Sequence, residues 1–178
     1  MAADWPSYLQ LHESGELRRR ADLALKLLGE CTVCPRECRV DRTFGERNCF
    51  CGGGEDALVC SVAPHFGEER PLVGSGGSGA IFFGGCNLGC VFCQNYEISH
   101  GREGREVSRG ELANIMVGLR RRGCHNINFV TPSHFVPQIL AALGPAIEGG
   151  LDLPLVYNTG GYDSLETLRL LDGVVDIY

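Results

Sequence analysis

Three cysteines near the middle of the chain have the type and spacing of ligands for an inorganic cluster. Cys86, Cys90 and Cys93 are spaced C-x3-C-x2-C within residues 84–93, a stretch that also contains three glycines. Glycines let a backbone wrap closely around a bulky inorganic core. Three thiolates on one loop can hold three irons of a cubane cluster, which leaves the fourth iron without a protein ligand and open to chemistry.

A structural zinc site and a set of buried thiols are the two alternatives for these cysteines. Zinc usually takes four ligands, often as two CxxC-like pairs. Apart from the three cysteines, only His100 lies near enough in sequence to be a fourth ligand. The spacing therefore favours an iron–sulfur cluster.

A second group of cysteines lies closer to the N-terminus. The stretch 31–60 is too poor in apolar residues to fold by packing alone, so a metal is expected to stabilise it. Three of the predicted ligands lie in residues 31–38, and the fourth is Cys51 or Cys49. Cys51 is favoured because a glycine follows it. Zinc and an auxiliary iron–sulfur cluster fit four thiolates equally well. The predicted ligands are Cys31, Cys34, Cys38 and Cys51.

Composition limits the class of protein. The chain has 178 residues, of which 44% are apolar and 21% charged, enough for one domain with a core and a small appendage. A net charge of −6 argues against a nucleic-acid-binding surface. With no secretion signal and no apolar run of about 18–20 residues, we expect a cytoplasmic protein, neither secreted nor membrane-spanning. In that compartment the ten cysteines indicate metal ligands and not disulfides.

Strand and helix patterns alternate from residue 80 onward, after a helix at 16–29 and a loop-like stretch at 61–79. This order predicts an α/β fold with a parallel sheet and right-handed crossover helices. We divide the chain into an N-terminal helix with a cysteine-rich leader, 1–60, and a sheet domain, 61–178. The predicted strands are 80–83, 126–131, 153–157 and 174–178, and the predicted helices between them are 109–122, 136–143 and 164–171.

Local signals mark the helix ends. Ser108 and Glu111 form a capping box at the start of the first of these helices, and Asp163 and Glu166 are predicted to form another at the last. Sites in parallel sheets gather at the carboxyl ends of the strands. We call residues 86–93 the cysteine loop. This loop and the polar stretches 131–134 and 158–161 are therefore expected to face one another.

The chain from residue 63 to 178 resembles the radical S-adenosylmethionine (radical SAM) proteins, in the branch similar to pyruvate formate-lyase-activating enzyme. Residues 31–51 also look like the cysteine-rich leader of that branch. The matching blocks are residues 64–69, 86–99, 126–137 and 157–163. The resemblance implies a radical SAM barrel of strand–helix units that this chain contains in part, and it suggests that the chain is truncated after the fourth strand.

By this resemblance the protein is an oxidoreductase with a 4Fe–4S cluster and SAM as cofactors. The methionine part of SAM would bind the iron left open, and reductive cleavage would give a 5′-deoxyadenosyl radical that abstracts hydrogen. Phe92 would lean against the adenine, with ordinary core packing as the alternative. Thr131 would lie near the methionine amino group, and Asn158 and Thr159 would meet the cofactor from the third strand; a plain turn is the alternative for that pair.

The resemblance also implies partners. The protein substrate would be a glycyl-radical enzyme, and the electron donor would be a protein such as flavodoxin or ferredoxin.

The competing hypothesis is a non-catalytic metal-binding module, an electron carrier or scaffold, in which a partner such as His100 completes the central cluster. A zinc-stabilised, inactive fragment is a third hypothesis.

Overall fold

The computed structural model describes residues 5–44 and 48–178. Two helices precede the sheet, α1 (Tyr8–Glu13) and α2 (Glu16–Lys26). Helix α1 was not predicted, and α2 ends three residues before the predicted end at Gly29. Apolar residues at helical spacing form the buried face of α2, namely Leu17, Ala21 and Ala24, and Leu28 just beyond the helix is buried as well.

The rest of the chain alternates strands and helices. Residues 133–135 form one turn of 3-10 helix. In chain order the elements are β1 (Ala57–His65), α3 (Arg70–Val73), β2 (Ser78–Phe83), α4 (Tyr96–Ser99), β3 (Arg105–Val107), α5 (Arg109–Arg121), β4 (Ile127–Val130), α6 (Val136–Glu148), β5 (Leu155–Asn158) and α7 (Leu165–Leu171).

The strands form one mixed sheet of order β3-β1-β2-β4-β5. The parallel part was predicted and is confirmed, because β4 pairs in parallel with both β2 and β5. Strand β1 instead runs antiparallel to β2 and β3. The loop predicted at 61–79 is therefore wrong where β1, α3 and the start of β2 lie, and correct between them. Beyond Val59, β1 has no β3 partner and becomes an edge, where half-exposed residues and Pro64 are tolerated. The predicted boundary between the leader and the sheet domain, at residue 60, lies inside β1. The division of the chain into these two domains stays a prediction.

Apolar packing between the sheet and the helices forms the main core. Ile81, Phe129 and Leu155 of the three parallel strands are fully buried and join side chains of α2, α5 and α6 in one cluster. The amphipathic stripe of α5 buries Leu112 and Met116 against the sheet. This packing brings the carboxyl ends of β2, β4 and β5 to one edge of the sheet.

Caps decide where the helices begin. The Ser108–Glu111 capping box of α5 is confirmed. The Ser108 hydroxyl accepts the Glu111 N–H, and the Glu111 carboxylate accepts the Ser108 N–H. The second predicted box is wrong, because Ser164 is the N-cap of α7 and its hydroxyl accepts the Thr167 N–H at 3.2 Å.

The predicted strand 174–178 contributes a single parallel bridge, between Val156 and Ile177. In the described part of the chain, no helix has the length and apolar character needed to cross a bilayer.

Candidate metal and cofactor site

The cysteine loop begins where β2 ends. Cys86, Cys90 and Cys93 are half-buried, and none of them forms a disulfide. Gly85, at φ 75°, lies directly before the loop, and a Cβ there would come within 2.1 Å of the carbonyl oxygen of Cys51. Only glycine therefore lets the leader backbone pass this close to the start of the loop.

Two of the three sulfurs receive hydrogen bonds. The Leu88 N–H donates to Cys86 Sγ at 3.3 Å. The Ser99 hydroxyl donates to Cys93 Sγ, also at 3.3 Å. Hydrogen bonds to a ligating sulfur orient it and tune the metal bound to it, so these contacts suit sulfurs that act as ligands.

The arrangement of the loop thiols bears on the kind of group that they can hold. Within residues 5–44 and 48–178, no three Cys, His, Asp or Glu side chains are grouped so that they could hold one metal ion. A cubane cluster does not require such convergence, because each thiolate binds a different iron. The three thiols on a glycine-rich loop therefore fit the predicted 4Fe–4S cluster, with Cys86, Cys90 and Cys93 as its ligands.

Arg36 from the leader holds the cysteine loop. Its Nε donates to the Asn87 carbonyl at 2.5 Å, and its Nη2 donates to the Leu88 carbonyl at 2.9 Å. The guanidinium carbon lies 3.4 Å from the centroid of the Phe50 ring, a cation–π contact. Arg36 was not predicted from the sequence because its partners are backbone atoms about fifty residues away.

Replacing Arg36 with alanine is expected to loosen the cysteine loop. Two charge-assisted hydrogen bonds to the loop would be lost, each worth about 1.5–3 kcal/mol. The rate at which a chelator strips iron from the anaerobic protein should rise at least about tenfold. Arg19→Ala, which removes only an exposed ion pair with Glu16, is the control. An unchanged stripping rate in Arg36→Ala would show that the loop does not depend on this clamp.

The predicted cofactor residues of β4 and β5 lie together. The Thr131 N–H donates to the Asn158 carbonyl at 2.9 Å, and Thr131 has a left-handed backbone at φ 58°. Asn158 is exposed and none of the hydrogen bonds found among the described residues involves its side chain. Phe92 is 87% exposed, so the alternative of ordinary core packing is wrong for it. Its role as a platform for adenine stays a prediction.

Asp163 organises the turn after β5. Its carboxylate accepts hydrogen bonds from the hydroxyls of Tyr157 at 2.8 Å, Thr159 at 2.7 Å and Tyr178 at 3.2 Å. The Thr159 hydroxyl also contacts Ser133 and accepts the Gly161 N–H, which uses its full bonding capacity. Thr159 therefore orders the turn, and Asn158 is the freer of the two predicted residues. This role of Asp163 was not predicted, because the sequence pattern indicates a helix cap at that position.

A cleft of about 590 Å³ opens beside this turn. Asn158, Thr159 and Tyr178 line one part of it, and Glu68 and Glu69 line another. The two glutamates belong to one of the sequence blocks that carry the family resemblance. Their position in the cleft is compatible with contact to a substrate.

His134 lies behind the cysteine loop and is fully buried. Burial lowers the pKa of its imidazole to about 4, and the nearby Arg42 charge acts in the same direction. The side chain is therefore neutral at pH 7, and its Nε2–H donates to the Gly84 carbonyl at 3.0 Å. This bond fixes the residue at which β2 passes into the cysteine loop.

Acidification is expected to destabilise the protein through His134. The folded pKa lies below the ordinary value near 6.5, so the unfolded chain binds the proton more readily. The contribution of His134 to the free energy of unfolding is fully present above pH 6.5. It is lost as the pH falls toward 4, and the loss between pH 7 and pH 5 is about 2 kcal/mol. Anaerobic urea unfolding of the wild type and His134→Gln at both pH values measures this component. The two proteins losing equal stability would contradict it.

Comparison with known proteins agrees with this architecture. The profile of the Radical SAM superfamily matches residues 80–177, more than half of the chain, and the chain belongs to this superfamily. It is 34% identical to the uncharacterized protein MJ0674 of Methanocaldococcus jannaschii, over 89% of this chain and 47% of the relative. It is 28% identical to the uncharacterized protein MJ0808 of the same organism, over 79% of this chain and 46% of the relative.

The chain spans about half the length of these curated relatives. No solved structure gives a significant match. Membership of the superfamily implies a 4Fe–4S cluster and SAM in general terms.

Proposed function

We propose that this protein is a radical SAM enzyme that reductively cleaves SAM at a cluster bound by Cys86, Cys90 and Cys93. One observation carries the proposal: three unpaired, half-exposed thiols follow the first parallel strand, on the edge where the next two parallel strands also end. Ligand sites in such sheets form at this edge. The superfamily match over residues 80–177 supports the same chemistry.

When bound, the reduced cluster supplies one electron that breaks a sulfur–carbon bond of SAM and yields methionine and a hydrogen-abstracting 5′-deoxyadenosyl radical. The residues of the chain bind and orient the reactants. Phe92 offers an exposed aromatic face against which an adenine can pack. Asn158 presents an amide at the strand end to hydrogen-bond the cofactor, while Asp163 holds the neighbouring turn through Thr159.

Product analysis after anaerobic reconstitution tests the proposal. The full chain, loaded with iron and sulfide, reduced with dithionite and given SAM, is expected to form 5′-deoxyadenosine and methionine in equal amounts. Omitting dithionite should stop both. A loaded protein that yields neither product under reduction would overturn the proposal.

The finer proposal is activation of a glycyl-radical enzyme, with flavodoxin or ferredoxin as electron donor. Its support is the resemblance of residues 64–69 and 86–99 to the activating-enzyme branch, together with a loop whose Val91 and Phe92 are 89% and 87% exposed. A large acceptor could reach a site of this openness. Incubation with pyruvate formate-lyase should then produce the electron paramagnetic resonance (EPR) doublet of a glycyl radical. Formation of 5′-deoxyadenosine without this signal would reject the finer proposal alone.

One contact favours the competing hypothesis of a non-catalytic module. His100 Nδ1 lies 2.8 Å from the Ser99 hydroxyl, which itself donates to Cys93 Sγ. The imidazole is therefore close to the loop and stays the candidate for a fourth ligand that the sequence indicates.

Removing the imidazole of His100 separates the two hypotheses. If SAM binds an open iron, His100→Ala should keep the iron content and visible absorption of the wild type, because the side chain is not a ligand. Iron analysis of anaerobic His100→Ala beside His12→Ala, a change far away on α1, makes the measurement. Loss of iron from His100→Ala but not from His12→Ala would show that the imidazole is the fourth protein ligand of the cluster, and it would support the non-catalytic module.

A further inference from the structure

Arg42 is an unusual residue in the cysteine-rich leader because its charge is fully buried. Its guanidinium donates to the carbonyls of Gly54 and His134, at 3.1 and 2.9 Å, and Nη1 lies 3.7 Å from Cys31 Sγ. In the parts of the chain that the structure describes, no carboxylate forms an ion pair with it. A buried charge is costly unless an opposite charge balances it.

The Arg42 charge acts on three nearby thiols that can become negative, those of Cys31, Cys49 and Cys51. We define the leader cysteines as Cys31, Cys34, Cys38, Cys49 and Cys51. All except Cys38 are buried, and none forms a disulfide. The sulfurs of Cys49 and Cys51 are 3.5 Å apart.

The leader lacks other means of holding its shape. Its described residues between α2 and β1 contain no helix or strand. The apolar cluster there has only three buried members, Leu28, Cys31 and Val33. A backbone hairpin, in which the Cys31 N–H donates to the Val40 carbonyl and the Arg39 N–H to the Cys31 carbonyl, brings Cys31 and Cys38 into one turn. Segments with so little core usually depend on a metal or disulfides.

We propose that the leader cysteines bind a second, thiolate-ligated metal centre, and that Arg42 balances its negative charge. Cys31, Cys34 and Cys38 of the hairpin supply three thiolates, and one of the Cys49–Cys51 pair supplies the fourth. The metal is thiophilic, either one zinc ion or an iron–sulfur cluster. Binding deprotonates the thiols and draws them together, since metal sites are rarely preformed without the metal.

The position of this centre gives it a role beyond stabilising the leader. The Cys51 carbonyl packs against Gly85, and Arg42 holds the His134 carbonyl while His134 holds Gly84. Residues of the leader therefore form the back wall of the loop that carries Cys86. Loading the second centre should order this wall.

Metal analysis of a variant without the SAM-cluster ligands tests the proposal independently of SAM cleavage. Cys86, Cys90 and Cys93 are changed to serine together, and the protein is purified anaerobically. We expect either about one zinc per chain, with no visible absorption, or about four irons with brown colour. Either result supports the proposal and identifies the metal. A chain free of both metals after supply of zinc, or of iron and sulfide, would overturn it.

Further serine changes in this triple variant test the ligands. Cys31→Ser and Cys34→Ser should each lose the metal, whereas Cys60→Ser and Cys124→Ser, which are not among the leader cysteines defined above, should keep it. Of Cys49→Ser and Cys51→Ser, one should lose the metal and the other keep it. Retention of full metal by Cys31→Ser and Cys34→Ser would reject the site.

Cobalt binding keeps the test decisive if the leader variants do not fold. Co²⁺ added to the metal-free triple variant should give intense thiolate-to-cobalt charge-transfer absorption and the visible bands of tetrahedral coordination. Octahedral spectra without thiolate bands would reject the proposal.

Discussion

Changing Cys86, Cys90 or Cys93 to serine is expected to abolish 5′-deoxyadenosine formation, with a decrease below detection. Each change removes the thiolate of one iron, so the cluster cannot assemble with three protein ligands and one open iron. Iron content should fall together with activity. Product analysis and iron analysis of the reconstituted variants make the measurement.

Cys60→Ser is the matched control for these three changes. Cys60 is half-buried like the loop cysteines and lies in β1, outside the C-x3-C-x2-C motif. It should keep the iron and the activity of the wild type. Full activity in any of the three loop variants would contradict the assignment of that cysteine as a cluster ligand.

Arg42→Met is expected to cause a much larger loss of stability than the replacement of an exposed arginine. The carbonyl of His134 loses its guanidinium donor, and any thiolates in the leader lose their counter-charge. Removing one partner of a buried charge network costs about 3–5 kcal/mol. Anaerobic denaturation by urea should show a midpoint shifted accordingly, and the affinity for metal in the leader should fall about tenfold or more.

Arg120→Met provides the comparison, because Arg120 forms only an exposed ion pair with Asp152. Such pairs contribute about 0–1 kcal/mol. If Arg42→Met were no more destabilising than Arg120→Met, the charge of Arg42 would have no structural function in the folded chain.

The sequence predicted the parts of the site that depend on local signals. The spacing of the loop cysteines, the strand before them and the Ser108–Glu111 capping box all involve residues within a few positions of each other. Strand and helix alternation placed the stretches 131–134 and 158–161 at the same sheet edge as the loop, and the contact between Ser133 and Thr159 confirms that these two stretches meet.

The residues that the sequence did not reveal act across long separations. Arg36 contacts backbone atoms of Asn87 and Leu88, and Arg42 contacts His134; neither pattern has a local signature. Strand β1 was missed because its outer half is a half-exposed edge that contains Pro64, a residue that argues against a strand when only the sequence is known. Asp163 was assigned to a helix cap because the competing cap, Ser164, is its immediate neighbour.

EPR spectroscopy of the reduced protein with and without SAM tests the central claim most directly. If Cys86, Cys90 and Cys93 bind a 4Fe–4S cluster with one open iron, SAM should bind that iron and shift the g values of the reduced cluster. The Cys93→Ser variant should lack the signal. An identical spectrum before and after SAM addition, from protein carrying a full complement of iron, would contradict an open site.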